Sequence, residues 1–464
     1  MVTGFLLGPS PVTTVDGYLS SDIGGRGLAT AHEIGRSATI ERVRASGLRG
    51  RGGGGFLTGA KWAGIAGQES SRRYVVCNGA EGEPGTFKDR ALIRSNPYQI
   101  IEGLFIAAFA VDAVDVYVCV KASYTAELER LTRAVEELQQ HGLGPDLTVN
   151  IVAGPDDYLF GEEKAMLEVI EGKPAMPRAF PPYEQGLFAW SPELGWESTP
   201  AAAGARRDDP HPTLVNNVET LANVPHILAR GEQWFRSMGT DESPGTIVCT
   251  VVGDVIAPDV GEIEMGTPLG AAIDALGSGV HPGRSVKAVF SGVSNAVIAG
   301  DQLATPLTYE AMAGIGSGLG SAGLIVYDDT ACMVEVARQF SDFLAVESCG
   351  QCSPCKLGST EITALLDRIE AGEGEDHDLE VIRGWLIRVT DASRCYLATE
   401  EQVVISSILR TFPEEFAEHL ERHGCPHQRS LPLPKLVDLS NGTATYAGHR
   451  NAPPPRGATG LGSD

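Results

Sequence analysis

The chain has 464 residues, 42% of them hydrophobic, with 36 Lys or Arg against 60 Asp or Glu and a formal net charge of −24. That length supplies core for two to four domains. The acidic balance excludes the basic face that nucleic acid or an anionic membrane surface requires. The longest uncharged run, residues 311–327, is broken by five glycines and is too short to span a bilayer. The first 22 residues lack the basic and apolar regions of a signal peptide, so the expectation is a cytoplasmic chain without direct membrane insertion.

In chain order, residues 29–46 carry Ala31, Ile34, Ile40 and Val43 at helical spacing, and a glycine-rich stretch follows at 47–62. Residues 74–78 (YVVCN) read as a strand, 97–112 as a helix opened by Pro97, and 114–120 (VDVYVCV) as a strand of period two. Residues 125–141 place Leu128, Leu131, Val135 and Leu138 on one helical face, and 147–153 form a further strand. This alternation predicts an α/β sheet with mostly parallel strands. Residues 178–212, rich in Pro, Gly and Trp, read as a long loop, and 217–238 as a helix. Three β-rich runs between 245 and 328 surround a helix at 268–276, which suggests a small α+β domain. From Cys332 to about Glu421 the pattern is helical apart from one cysteine loop, and the last 36 residues look like a tail that is at least partly disordered.

Three of the nine cysteines, Cys349, Cys352 and Cys355, recur at two-residue intervals, and Cys395 follows after 39 intervening residues. Three such thiolates with a distant fourth suit an iron–sulfur cubane; a zinc site, more often built from two separated Cys-x-x-Cys pairs, is the alternative. Cys77, Cys119, Cys249, Cys332 and Cys425 read as buried apolar residues, and His423-Gly-Cys425-Pro-His427 as a surface turn, with metal binding the lesser alternative. Glycine, at 56 residues, is in excess of usual proportions and marks places where backbone approaches a ligand. Gly50, Gly52, Gly53 and Gly55 satisfy G-x-G-x-x-G. A helix rather than a strand precedes them, however, so the dinucleotide fingerprint fails, and the Trp after Lys61 excludes a Walker loop. What remains is a backbone bend followed by a cation, suited to a flat ring and a phosphate. Asn78, Glu81 and Glu83 follow one strand end and Tyr158, Gly161, Glu162 and Glu163 another, which is where α/β sheets bind ligands. Asn216 and Asn217 open a helix able to receive a phosphate.

Taken together and in this order, GLRGRGGGGFLTGAKW, YVVCNGAEGEPGTFKDR, YLFGEEKAMLEVIEGK, PTLVNNVETLANVPHIL, ESCGQCSPCKLG and RCYLATEEQVVISSIL resemble the flavin-bearing, NADH-oxidising subunit of respiratory complex I. That family includes equivalent subunits of NAD-linked hydrogenases and formate dehydrogenases. The resemblance implies an α/β plus α architecture. A Rossmann-like FMN-binding domain would occupy residues 1–240, a ubiquitin-like β-grasp domain 241–330, and a helical bundle with a [4Fe–4S] cluster 331–423, before a Pro-rich tail at 424–464.

It further implies that FMN lies against Gly50, Gly52, Gly53 and Gly55 with Lys61 near its polar tail. Asn78, Glu81 and Glu83 would line the flavin and nicotinamide side, Tyr158, Gly161, Glu162 and Glu163 the opposite wall, and Asn216 and Asn217 would hold the phosphate. Glu83 and Glu163 would also serve NADH, whose adenine Phe56 and Tyr183 would flank; Cys349, Cys352, Cys355 and Cys395 would bind the cluster. Hydride transfer by the flavin needs no catalytic side chain. The partners implied are a small thioredoxin-like [2Fe–2S] subunit and a cluster-rich subunit, through which a cytoplasmic chain becomes peripheral to the membrane. Ala80, Phe180, Asp156, Asp157 and Lys164 depart from the family pattern, and the loop at 186–209 is longer than usual. These departures frame an alternative: a paralogue that keeps FMN and cluster as an electron-transfer module with lost or altered nicotinamide specificity.

Overall fold

A computed structural model describes residues 4–189, 209–426, 429, 431 and 433–447. The strands β1 (Tyr74–Gly79), β2 (Asp115–Lys121), β3 (Thr148–Gly154) and β4 (Thr213–Asn217) form one parallel sheet in the order β3-β2-β1-β4. The central strands are short, nearly continuous apolar runs because helices cover them. Helix Pro97–Val111 is buried almost throughout; Asn96 caps it by accepting from the Gln99 N–H, and Pro97 occupies its first turn. From β1 the chain moves to β2 on one side and returns to β4 on the other. The crevice at the C-terminal ends of β1 and β4 is therefore a topological switch point, where such sheets take ligands.

Two predicted helices are broken by glycine. Residues 29–46 form two helices, Arg26–Ile34 and Arg36–Ala45, separated at Gly35 with φ +84°. The segment expected as one helix at 217–238 begins with the end of β4, continues as Val218–Arg230, and restarts as Glu232–Arg236 after Gly231 with φ +92°. The strand β4 itself, between the long loop and that helix, has no counterpart among the predicted elements.

The strands β5 (Thr246–Gly253), β6 (Asp259–Glu264), β7 (Val286–Ser291), β8 (Ile298–Ala299) and β9 (Gly323–Asp328) form a mixed sheet ordered β6-β5-β9-β7-β8, in which only β5 and β9 run parallel. Helix Leu269–Gly277 packs across it in the manner of a β-grasp fold. Five helices follow: Met333–Glu347, Ser353–Glu370, Asp376–Arg388, Leu397–Thr411 and Pro413–Arg422. Their core continues into both sheets, with Phe290 of β7 edge-on to Phe340 at 4.9 Å.

Part of the predicted tail is folded. Strands β10 (Leu436–Ser440) and β11 (Thr443–Tyr446) form a hairpin around Asn441-Gly442, both at positive φ. Arg94 holds it through Asp438 at 2.6 Å, and Arg90 donates to the Leu436 carbonyl at 3.1 Å. Residues 448–464 and most of the predicted long loop, 190–208, lie outside the described residues. Among the described residues no helix is long and apolar enough to cross a membrane.

Candidate functional site: a flavin-sized cleft beside a four-cysteine cavity

A cleft of about 550 Å³ opens at the switch point. Gly52, Gly53 and Gly54 form one wall, Asn78 to Glu83 lead out from β1, Asn217 closes β4, and Tyr158, Gly161 and Glu162 stand opposite. The glycine bend is held from behind by Arg51, which is fully buried. Its guanidinium donates to the Thr246 and Pro244 carbonyls, each at 3.2 Å, and its backbone N–H donates to Thr220 Oγ1 at 2.9 Å. Gly53 has φ +114°, and a Cβ on Gly52 would come within 3.1 Å of Asn217 Cβ. Gly55, at φ +61°, is instead a packing glycine whose Cβ would strike the Tyr309 ring at 2.5 Å. Gly50 also lies behind the wall, its carbonyl accepting from Tyr309 Oη at 2.9 Å.

Asn78 Nδ2 donates to the Gly161 carbonyl at 2.8 Å, which ties the two facing loops together. Asn217 is spanned by charge: Lys88 Nζ donates to its Oδ1 and its Nδ2 donates to Asp89 Oδ2, both at 2.8 Å. Lys88 is the one Lys or Arg among the lining residues, and it also pairs with Asp89 at 2.7 Å and Glu219 at 3.1 Å. Burial pulls its ammonium pKa down, but these neighbouring carboxylates outweigh it and the pKa rises, so it stays charged. Glu81 is committed to Arg90 at 2.8 Å and to the Asp89 N–H at 2.9 Å.

Glu83, Tyr158 and Glu400 form the acidic side. Glu83 accepts from Tyr158 Oη at 2.5 Å and from the Val293 N–H at 2.7 Å, and Glu400 Oε1 lies 3.2 Å from the same hydroxyl. Burial raises the pKa of both carboxyl groups, Glu400 by the larger margin because Glu83 adds like-charge repulsion. Glu400 Oε2 is buried and has no hydrogen-bond partner. Glu162 caps helix Glu163–Ile170 by accepting from the Ala165 N–H at 3.0 Å, and burial pushes its carboxyl up to about 7.

Several expected residues stand elsewhere. Lys61 does not line the cleft: it pairs with Glu163 and donates to the Val215 carbonyl at 2.8 Å. Asn216 is buried behind the sheet end, accepting from Trp62 Nε1 at 2.8 Å. Phe56 and Tyr183 are 63% and 51% exposed and lie outside the lining. Of the departures from the family pattern, Ala80 lines the cleft, whereas Asp156 is turned to Ser123 and Lys164 to the Arg394 carbonyl. Lys88 and Glu400 line the cleft without having been expected there. Their signals are present in the sequence, in TFKDR just after β1 and in the acids five residues after Cys395.

Cys349, Cys352, Cys355 and Cys395 line a second, smaller cavity together with Leu159, Pro177, Leu397 and Ala398. Cys349 and Cys352 sit in the turn before helix Ser353–Glu370, Cys355 in its first turn, and Cys395 just before helix Leu397–Thr411. Leu159, Cys395 and Leu397 line both this cavity and the cleft, so the two share a wall.

A family model for the Nuo51 FMN-binding domain matches residues 43–226, and one for the iron–sulfur binding region of NADH-ubiquinone oxidoreductase F matches residues 335–419. The chain is 39% identical to an F-type subunit of NADH-quinone oxidoreductase from Rhizobium meliloti, over 89% of this chain and 97% of that one. The chain belongs to the family of NADH-quinone oxidoreductase F subunits. Its relatives reach further: it is 34% identical to the NADP-reducing hydrogenase subunit HndC of Solidesulfovibrio fructosivorans, over 89% and 82% of the two chains. A crystal structure of an NAD⁺-reducing [NiFe]-hydrogenase superposes with a TM-score of 0.76 at 32% identity, over 92% of this chain and 68% of that one.

Both cofactors of this family fit the residues present. The cleft offers FMN a wall without side chains at Gly52, Gly53 and Gly54, one buried cation at Lys88, and an unpartnered carboxyl oxygen at Glu400. The cysteine cavity suits a cubane rather than a single ion. Among the described residues, only one set of three or more Cys, His, Asp or Glu brings its ligand atoms within 4.8 Å of one another, and the four cysteines are not that set. A cubane holds its thiolates farther apart than one tetrahedral ion does.

Proposed function

We propose that this chain oxidises NADH at the cleft and hands the electrons through its [4Fe–4S] cluster to a partner protein. The observation that carries this reading is the shared wall of Leu159, Cys395 and Leu397, which sets a flavin-sized cleft directly against a cluster ligand. FMN supplies the conversion of a two-electron hydride into single electrons.

The chain's own residues orient and shield. Gly52, Gly53 and Gly54 let a flat ring approach backbone closely. Lys88, its ammonium shared among Asn217, Asp89 and Glu219, fixes the Asn217 side chain at the end of the cleft where β4 closes it. Glu83, Tyr158 and Glu400 hold the opposite side rigid and keep it short of free negative charge, which lowers the cost of admitting a dinucleotide. The exposed rings of Phe56 and Tyr183 suit the adenine end of NADH, outside the flavin cleft.

Onward transfer needs a docking face near the cluster. Val346, Leu357 and Tyr396, each half or more exposed, flank the cysteine-bearing segments and support a face for a thioredoxin-like [2Fe–2S] subunit, with a cluster-rich subunit beyond it.

An anaerobic visible spectrum before and after excess NADH tests the reading. The expected result is bleaching of the flavin bands with a fall in the broad cluster absorbance. A spectrum that dithionite reduces, but NADH and NADPH do not, overturns it.

A further inference from the structure

The one close set of metal-ligating atoms among the described residues is Cys332, Glu370, His419 and Cys425, all within 4.8 Å of one another. It lies in the helical bundle and is made of residues distinct from the four cysteines of the cluster cavity. We propose that these four residues bind one zinc ion as a structural staple.

The geometry is that of a single tetrahedral ion. Zinc with Zn–S of about 2.3 Å and Zn–N or Zn–O of about 2.0 Å places its ligand atoms roughly 3.3–3.8 Å apart. Here Cys332 Sγ lies 3.3 Å from His419 Nε2 and 3.9 Å from Glu370 Oε2, and His419 Nε2 lies 3.2 Å from Glu370 Oε2. Cys425 is within hydrogen-bonding reach of Cys332 and Glu370. The histidine is oriented as a ligand would be. Its Nδ1 is held 2.6 Å from the Glu415 carbonyl, to which it donates, leaving Nε2 directed at the thiols and the carboxylate. The His419 side chain is fully buried, so its direction is set by packing as well.

The four ligands come from four places in the chain, whose helices are joined elsewhere by the Met333 N–H to Glu415 and by Arg338 to Asp367. Cys332 is the residue before helix Met333–Glu347, Glu370 ends helix Ser353–Glu370, His419 lies in helix Pro413–Arg422, and Cys425 lies in the chain leaving it. That exit is tight: a Cβ on Gly372 would meet the His423 carbonyl at 2.1 Å. An ion here would fix the corner from which the chain departs toward β10. Two thiolates, an imidazole and a carboxylate form a closed, four-coordinate set with no position left for substrate, which is a structural rather than a catalytic zinc site. Binding converts the Cys332 and Cys425 thiols to thiolates and releases their two protons to solvent.

The test is elemental analysis of the purified holoprotein with zinc K-edge absorption, which iron and flavin do not obscure. The expected result is about one zinc per chain with two sulfur and two nitrogen or oxygen neighbours. The variant Cys425→Ser loses that zinc while iron and FMN contents stay at wild-type levels. Zinc well below one per chain overturns the proposal, as does an environment of four sulfurs, which would place zinc in the cluster cavity. A Cys332–Cys425 disulfide in zinc-free protein overturns it too. Should Cys425→Ser fail to fold, the wild-type spectrum still decides. Iron and FMN contents are read separately, so failure here leaves the redox reading untouched.

Discussion

Tyr158 donates its phenolic proton to Glu83 Oε2 at 2.5 Å. A phenol has one proton to give, so the 3.2 Å contact between the same oxygen and Glu400 is closed by a proton on Glu400 itself. Burial and the nearby Glu83 charge both raise the Glu400 pKa, which agrees with that assignment. Of the two buried carboxyl groups, Glu400 is therefore the one more readily kept neutral.

The two carboxyl groups should respond differently to amide substitution. Glu400→Gln keeps a donor toward Tyr158, so FMN retention and NADH-driven ferricyanide reduction should stay within about threefold of wild type. Glu83→Gln keeps only one acceptor oxygen, while Tyr158 and the Val293 N–H both need one. The stranded donor costs about 1–3 kcal/mol, seen as a tenfold or greater loss in turnover or FMN affinity. Equal losses in both variants would mean that Glu400 is ionised.

Lys88 and Lys61 offer a second contrast. Lys88→Met leaves Asp89 and Glu219 buried without their cation, a loss of roughly 3–5 kcal/mol. Lys61→Met breaks a partly exposed pair with Glu163 and should cost under about 1 kcal/mol. Urea unfolding with flavin fluorescence measures both. Lys88→Met should also release FMN, and Lys61→Met should not; the reverse pattern would place the phosphate at Lys61.

Why Lys61 looks better placed than Lys88 in the sequence is a matter of direction. Lys61 follows the glycine bend by a few residues, but helix Thr58–Ala66 turns it toward Val215 and Glu163. The local pattern, read as a glycine-rich bend, gives neither the helix nor its rotation against β4, which is set by contacts more than 150 residues away. The strand β4 is hidden for the same reason: five residues after a Pro-rich stretch carry little periodicity, and their pairing with β1 joins Asn78 to Asn217. By contrast β1, β2 and β3 are legible because each is an apolar run bounded by helices of clear period. The cysteine spacing is legible because it is local. The hairpin at Asn441-Gly442 has a signal too, a dipeptide suited to positive φ, but its polar and Pro-rich surroundings read as tail.

Removing one cluster ligand should separate the two redox centres. In Cys395→Ala the cluster cavity loses a ligand that also lines the cleft, while the glycine wall, Lys88 and Asn217 are untouched. Iron content should fall while FMN stays near one per chain, and anaerobic NADH should still bleach the flavin without the cluster's EPR signal. Loss of FMN along with iron would show that the shared wall is needed to hold the flavin.

Glu262, which lines neither the cleft nor the cysteine cavity, gives a pH dependence. Its Oε2 accepts from the Leu6 and Leu7 N–H groups at 2.8 and 3.1 Å, and its Oε1 accepts from Thr246 Oγ1 at 2.6 Å. Burial nevertheless dominates and pushes its carboxyl up to about 7. Between the unfolded value, near 4.3, and about 7, the folded chain keeps a proton that the unfolded chain has released. Stability from this group is therefore complete below that window and falls as pH rises through it, by up to about 1.4 kcal/mol per pH unit. Glu262→Gln keeps both backbone N–H groups on its oxygen and has no carboxyl proton to release, although its amide no longer accepts from Thr246 Oγ1. Its unfolding midpoint should accordingly vary less than that of wild type between pH 5 and pH 7 in thermal scans. Parallel pH curves for the two proteins would show that Glu262 is already ionised in the folded chain at pH 5.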